Sequence, residues 1–157
     1  MCVQTVKCNK FGSPIRAKSR IVALGNYEET PWSKSDRYAP VIRKESHHIL
    51  TSLAVELCRT QKQGDCKNAF CHPTLPENER IIIKPPSGCP LSKPGELWLL
   101  RKTLYGLRRS PKHWYNTFCA TMAKLGLTAC PHDSCVFTGT IIDGQPPIYL
   151  GLSLIHL

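Results

Sequence analysis

In the stretch Lys102-Thr103-Leu104-Tyr105-Gly106-Leu107-Arg108-Arg109-Ser110-Pro111-Lys112-His113-Trp114-Tyr115, a tyrosine and a glycine lead through two arginines into a helix start. Ser110 offers a capping hydroxyl, and Pro111 at the first helical position gives up no hydrogen bond. Trp114, Phe118, Met122 and Leu125 then recur at helical intervals until Gly126 supplies a stop. That stripe is expected to be core packing. Just upstream, Glu96-Leu97-Trp98-Leu99-Leu100-Arg101 reads as a strand. A strand, a turn and a long helix, with further strands on either side, predict an α+β chain.

Two more blocks lie further out. In Gln63-Gly64-Asp65-Cys66-Lys67-Asn68-Ala69-Phe70, one acidic residue follows a polar, extended run and precedes a small residue and an aromatic. The pattern suggests a carboxylate at the end of a strand, a metal-ligand position, although an Asp leaving a strand is more often a turn former. In Lys18-Ser19-Arg20-Ile21-Val22-Ala23-Leu24-Gly25, cations alternate with apolar residues, as in a strand with one wet, basic face. Taken in order, the three blocks resemble the reverse transcriptase domain of copia-type LTR retrotransposons, over about residues 18–152.

The resemblance implies a partial fingers and palm arrangement of a right-hand polymerase, with an antiparallel sheet backed by helices. It also implies RNA-directed DNA polymerisation through two Mg²⁺ ions, which position the attacking hydroxyl and the triphosphate. Asp65 would be the first metal ligand, and the carbonyl of Cys66 would reach the second metal. Phe70 matches the aromatic gate beneath the incoming sugar, which selects a deoxynucleotide. Tyr105-Gly106 would floor the nascent base pair, glycine allowing close backbone approach. Lys18 or Arg20 would meet the triphosphate or template backbone, and Arg108, Arg109 and Lys112 would hold template phosphates. The implied partners are an RNA or DNA template-primer, deoxynucleoside triphosphates and the rest of a retrotransposon polyprotein.

The resemblance breaks after Ile148-Tyr149-Leu150-Gly151-Leu152. Family members continue into Tyr-Val-Asp-Asp, whereas this chain runs Ser153-Leu154-Ile155-His156-Leu157, with Ile155 and His156 where the aspartates belong. One carboxylate cannot hold two close Mg²⁺ ions against their repulsion. The expectation is a truncated or degenerate domain, inactive by itself, with residues 148–152 forming a strand that lacks its partner. A non-catalytic nucleic-acid-binding remnant is the alternative.

A net charge of +10 on 157 residues, from 21 Lys and Arg against 11 Asp and Glu, favours a polyanionic partner. Nine cysteines, an odd and irregularly spaced set without a secretory leader, read as reduced thiols of a cytoplasmic or nuclear protein. Cys66, Cys71, His72, Cys130, His132 and Cys135 are zinc-type ligands without the tight Cys-x-x-Cys spacing of a zinc site. No apolar run approaches the roughly 20 residues that span a bilayer, and no membrane partner is expected.

Along the chain, residues 1–14 are expected to be a lead-in, 15–152 the reverse transcriptase fragment and 153–157 a divergent tail. Residues 15–25 read as a strand and 26–40 as a loop. Residues 43–59 read as a helix burying Ile49, Leu50, Leu53, Ala54 and Leu57 under the sheet, with His47 and His48 at its surface. After a loop at 73–79, Arg80-Ile81-Ile82-Ile83-Lys84 reads as a short strand. Val136-Phe137-Thr138, Ile141-Ile142 and Ile148-Tyr149-Leu150 suggest strands, with a turn at Asp143-Gly144.

Overall fold

A computed structural model describes residues 1–153 of the chain. It is mixed α and β, with small antiparallel sheets rather than one large one, and it divides into two compact units. The first is built from Met1–Arg37 and Asn68–Trp114; the second takes Tyr38–Lys67 and the described residues from Tyr115 on. The long helix contributes residues to both. The expected replacements Ile155 and His156 lie outside the described residues.

In the first unit, β1 (Cys2–Cys8) and β2 (Pro14–Ile21) form an antiparallel hairpin. Residues 1–14, expected to be a lead-in, therefore contribute a seven-residue strand. The segment lacks an alternating apolar face because β1 is almost wholly exposed, so only its pairing with β2 reveals it. Asn9 closes the turn, its side-chain oxygen accepting the N–H groups of Phe11 at 2.9 Å and Ser13 at 3.0 Å. The 26–40 loop holds one helical turn, α1 (Lys34–Arg37). The strands expected around 80–84 and 96–101 shrink to β3 (Ile82–Ile83) and β4 (Trp98–Leu99), paired with each other. Pro85-Pro86 follows β3 and Pro94-Gly95 precedes β4, which ends the pairing on that side.

The second unit contains α2 (Lys44–Glu56), most of α3 (Ser110–Lys124) and a three-stranded antiparallel sheet. Its strands are β5 (Thr128–Cys130), β6 (Asp133–Gly139) and β7 (Ile148–Gly151), in that spatial order. Phe137, Met122 and Leu127 are buried together, with Phe118, Cys119, Leu150 and Leu152 packed around them. Phe118 meets Phe137 edge to face at 5.5 Å between ring centres.

Several expectations change here. Leu125 is exposed and Leu127 takes its place in the core, because the chain turns at Gly126 immediately after the helix. Ile141 and Ile142 form no strand and lie exposed in the β6–β7 connection. β7 is not left without a partner: it pairs with β6 from Val136↔Gly151 to Gly139↔Ile148. No residue of α2 is fully buried, and Ile49 is 65% exposed. Leu50 packs close to Gly151, where an added Cβ would lie 3.2 Å from Leu50 Cδ1.

Asp133 joins two elements of this unit. One carboxylate oxygen accepts the N–H of Arg43, ahead of α2, at 3.0 Å. The other accepts the N–H of Cys135 at 2.9 Å. Burial would raise this carboxyl, but hydrogen bonds from the Ser46 side chain and from both backbone groups outweigh it and hold Asp133 below its ordinary value. Burial, with Asp133 and Cys119 nearby, pushes the Cys135 thiol up to about 11.

Candidate nucleic-acid interface

Alternation along β2 puts Arg16, Lys18 and Arg20 on one face of the hairpin. Their cross-strand neighbours are Lys7, Thr5 and Val3, so Lys7 stands directly opposite Arg16. Like charges in that position cost stability. The ribbon of cations continues to the tip, where Lys10 lies 5.0 Å over the ring of Phe11, itself 80% exposed.

At its other end the ribbon meets two aromatic rings. The Arg20 guanidinium lies 5.7 Å over the ring of Tyr105, and Tyr105 meets Phe70 edge to face at 5.2 Å. Phe70 sits in a 3₁₀ turn, Ala69–Cys71, entered through Asn68 in the left-handed conformation. Its carbonyl accepts the buried Thr103 hydroxyl at 2.5 Å. Three residues from three separate sequence blocks thus form one cluster within the first unit.

The backbone at Tyr105-Gly106 is fixed from two sides. The N–H of Ala23, beyond β2, donates to the Tyr105 carbonyl at 2.7 Å. Gly106 has φ of +90°, and a Cβ there would collide with the Ala23 carbonyl oxygen and lie 2.7 Å from Val22 Cγ1. A Cβ on Gly25 would in turn collide with the Gly106 carbonyl oxygen. Glycine is required at both positions by backbone contact. Ser110 does not play the expected capping part: its buried hydroxyl turns back and donates to the Leu104 carbonyl at 2.6 Å. A buried hydroxyl needs a partner, and the preceding turn supplies the nearest one.

The arginines expected on template phosphates are engaged within the protein. Arg108 donates from Nε to the Gly25 carbonyl at 2.7 Å and from Nη2 to that of Asn26 at 3.3 Å. Its backbone N–H donates to Glu28 Oε1 at 2.9 Å. Arg109 is ion-paired through Nη1 with Glu79 and lies 4.3 Å over the ring of Trp32. Its Nε is buried with no hydrogen-bond partner among the described residues. Trp32 donates its indole N–H to Glu28 Oε2 at 2.8 Å. His113 Nε2 lies 3.0 Å from the second Glu79 oxygen. Burial, and beside it the Arg109 guanidinium, lower His113 below the ordinary imidazole value. The ring is therefore neutral near pH 7 and meets the carboxylate as an N–H donor. Lys112 is half-buried near Asp36.

Trp32, Glu28, Glu79 and His113 were missed because they lie in polar loops or next to a stronger motif. Their one sequence signal is a lone tryptophan four residues after a glutamate in an otherwise polar loop.

Asp65 belongs to the second unit and is not at the end of a strand. It lies, like Cys66, in an exposed, irregular segment, since glycine and polar neighbours give no apolar face to bury. Among the described residues, no three His, Cys, Asp or Glu side chains come together as a metal site, which applies to the zinc-type ligands as well. Asp65 is thus exposed and part of no such cluster among the described residues. No described helix is long and apolar enough to cross a membrane.

Small antiparallel sheets and a basic, aromatic-ended hairpin define an α+β chain whose first unit carries a row of cations on one strand face. The chain belongs to the reverse transcriptase (RNA-dependent DNA polymerase) family, whose profile matches residues 1–153. It is 31% identical over 146 residues, 93% of its length, to the retrovirus-related Pol polyproteins from transposons RE2 and RE1 of Arabidopsis thaliana. It is also 31% identical over 139 residues, 87% of its length, to that from transposon TNT 1-94 of Nicotiana tabacum. The copia-type resemblance of the three blocks is thereby borne out. The chain spans about a tenth of the length of these relatives. No solved structure matches it. Reverse transcriptases depend on divalent metal as a family, but the residues described here do not form that site.

Proposed function

We propose that the chain is a fingers and palm segment of a retrotransposon reverse transcriptase that binds template-primer but does not extend it as the polypeptide 1–157. The observation that carries this reading is the cluster of Arg20, Tyr105 and Phe70, which places a cation and two aromatic rings at the end of a basic ribbon. On this face of β2 Arg16 is exposed and Lys18 and Arg20 are half-buried; cations neutralise phosphates, and aromatic rings stack bases without regard to sequence. Lys18, Arg20 and Lys112 are the phosphate contacts of this reading. Tyr105 and Gly106 floor the base, and Phe70 stands beneath the sugar of a deoxynucleotide.

Asp65 would supply one carboxylate to a Mg²⁺ centre, and Ser153-Leu154-Ile155-His156-Leu157 supplies none. The absence of a carboxylate cluster among the described residues favours binding without synthesis over a complete polymerase. The full polyprotein's activity and compartment, cytoplasmic or nuclear, belong to the same proposal.

The test uses a fluorescent RNA template with an annealed DNA primer and a single-stranded overhang. Binding should weaken steeply as salt rises, and Tyr105→Ala should cost about tenfold in affinity, in line with ~1–3 kcal/mol per stacked base. With Mg²⁺ and deoxynucleoside triphosphates present, the primer should stay unextended. Salt-independent binding, or none, overturns the nucleic-acid reading, and extension overturns the inactivity.

A further inference from the structure

We propose that Arg109 is a positioning residue rather than a phosphate ligand, and that Glu79 and Trp32 hold it so that Tyr105-Gly106 stays a rigid floor. The inference rests on the nucleic-acid reading above and assigns roles to residues that reading does not use.

The geometry is that of a clamp with two carboxylates. Glu79 takes Arg109 on one oxygen and His113 on the other, and the Arg109 plane is covered by Trp32. Glu28 ties the Trp32 indole to the backbone of Arg108. Arg108 then reaches the carbonyls of Gly25 and Asn26, the loop whose glycine touches the Gly106 carbonyl. The two residues that follow Gly106-Leu107 are thereby anchored, one to each carboxylate. A planar guanidinium matches this double duty of stacking and pairing, which an ammonium would not.

Arg109 is poorly placed to hold a phosphate as well. Its side chain is 24% exposed and that of Glu79 is 9% exposed, so the pair is largely removed from water. Recruiting this guanidinium to a template would leave the Glu79 carboxylate buried without its cation, which is strongly unfavourable.

Equilibrium binding of the same template-primer over a salt series separates the two roles. A phosphate ligand reduces the slope of log affinity against log salt by about 1 when neutralised, whereas a positioning residue changes affinity at constant slope. Arg109→Gln should weaken binding about tenfold, or ~1.4 kcal/mol, with the wild-type slope. Lys18→Gln, at a phosphate contact of the proposed function, provides the contrasting loss of slope.

Glu79→Gln is the sharper variant, and it stands in if Arg109→Gln fails to fold. Removing a negative charge should strengthen binding to a polyanion if only net charge matters, but the clamp requires it to weaken binding. Its effect should also vanish in a Tyr105→Ala background, which general destabilisation would not cause. Tighter or unchanged binding by Glu79→Gln, a reduced slope for Arg109→Gln, or strict additivity with Tyr105→Ala overturns the inference. Wild-type protein that binds no template-primer overturns the proposed function, and this inference falls with it.

Discussion

The two compact units are held together by different physics. The first carries 15 of the 21 Lys and Arg and six of the 11 Asp and Glu, a net +9, leaving six and five, a net +1, for the second. Around Tyr105-Gly106 the first is stitched by glycine-to-backbone contact, by Arg108 and Arg109 on carbonyls and carboxylates, and by the buried hydroxyls of Thr103 and Ser110. The second packs Phe137, Met122 and Leu127 against a regular three-stranded sheet. The difference teaches that the excess charge has a location. The unit that presents the cations adds directional polar contacts at its turns to the burial of Leu75, Leu107 and Trp114, while the unit with almost no net charge packs an aromatic cluster on its sheet.

The largest effect expected from this contrast is in the second unit. Phe137→Ala should cost about 3–5 kcal/mol in urea unfolding, the usual loss for deleting a buried ring. A cost below ~1 kcal/mol would mean that the apolar cluster does not hold this unit.

Acid should separate the units in order. His113 is held below its ordinary value, so it contributes stability that is intact above about pH 6.5 and lost as pH falls from there toward its folded value. Asp133 is also lowered, and its contribution is intact above about pH 4 and lost below that. His113→Asn should flatten the upper part of a stability-versus-pH curve and leave the lower part. Asp133→Asn should flatten the lower part and cost about 1–3 kcal/mol at neutral pH, because one of its two backbone donors loses an acceptor. If both variants flatten the same pH range, the assignment of the two groups is wrong.

The smallest effect has the opposite sign. Lys7→Gln relieves the like-charge pair with Arg16 and should stabilise the chain by roughly 0.2–1 kcal/mol while weakening template-primer binding. Thermal unfolding and binding of one preparation measure both, and a loss of stability would remove the case for a functional basic ribbon.

Much of the candidate site was legible in local order. Residues 14–21 alternate, Trp114, Phe118 and Met122 repeat at helical spacing, and each signal needs only one element to be read. β1 was not legible, because an exposed strand has no apolar period, and neither was the partner of β7, because register is a property of two strands. Leu127 replaced Leu125 in the core for a similar reason: the turn at Gly126 redirects the chain one residue after the periodicity ends.

The amino-acid sequence by itself determined the family, the basic excess and the main helices, and it offered Lys18 or Arg20, Phe70 and Tyr105 as candidates, since these depend on residue type and short-range spacing. Only the tertiary structure decided that Arg20, Phe70 and Tyr105 meet, that Asp65 lies exposed and in no cluster of three or more His, Cys, Asp or Glu among the described residues, and that Arg108 and Arg109 face carbonyls and carboxylates. A cation's role is set by which acceptor is nearest, and here the acceptors lie some 30 to 83 residues away along the chain. Spacing within a motif carries no record of them.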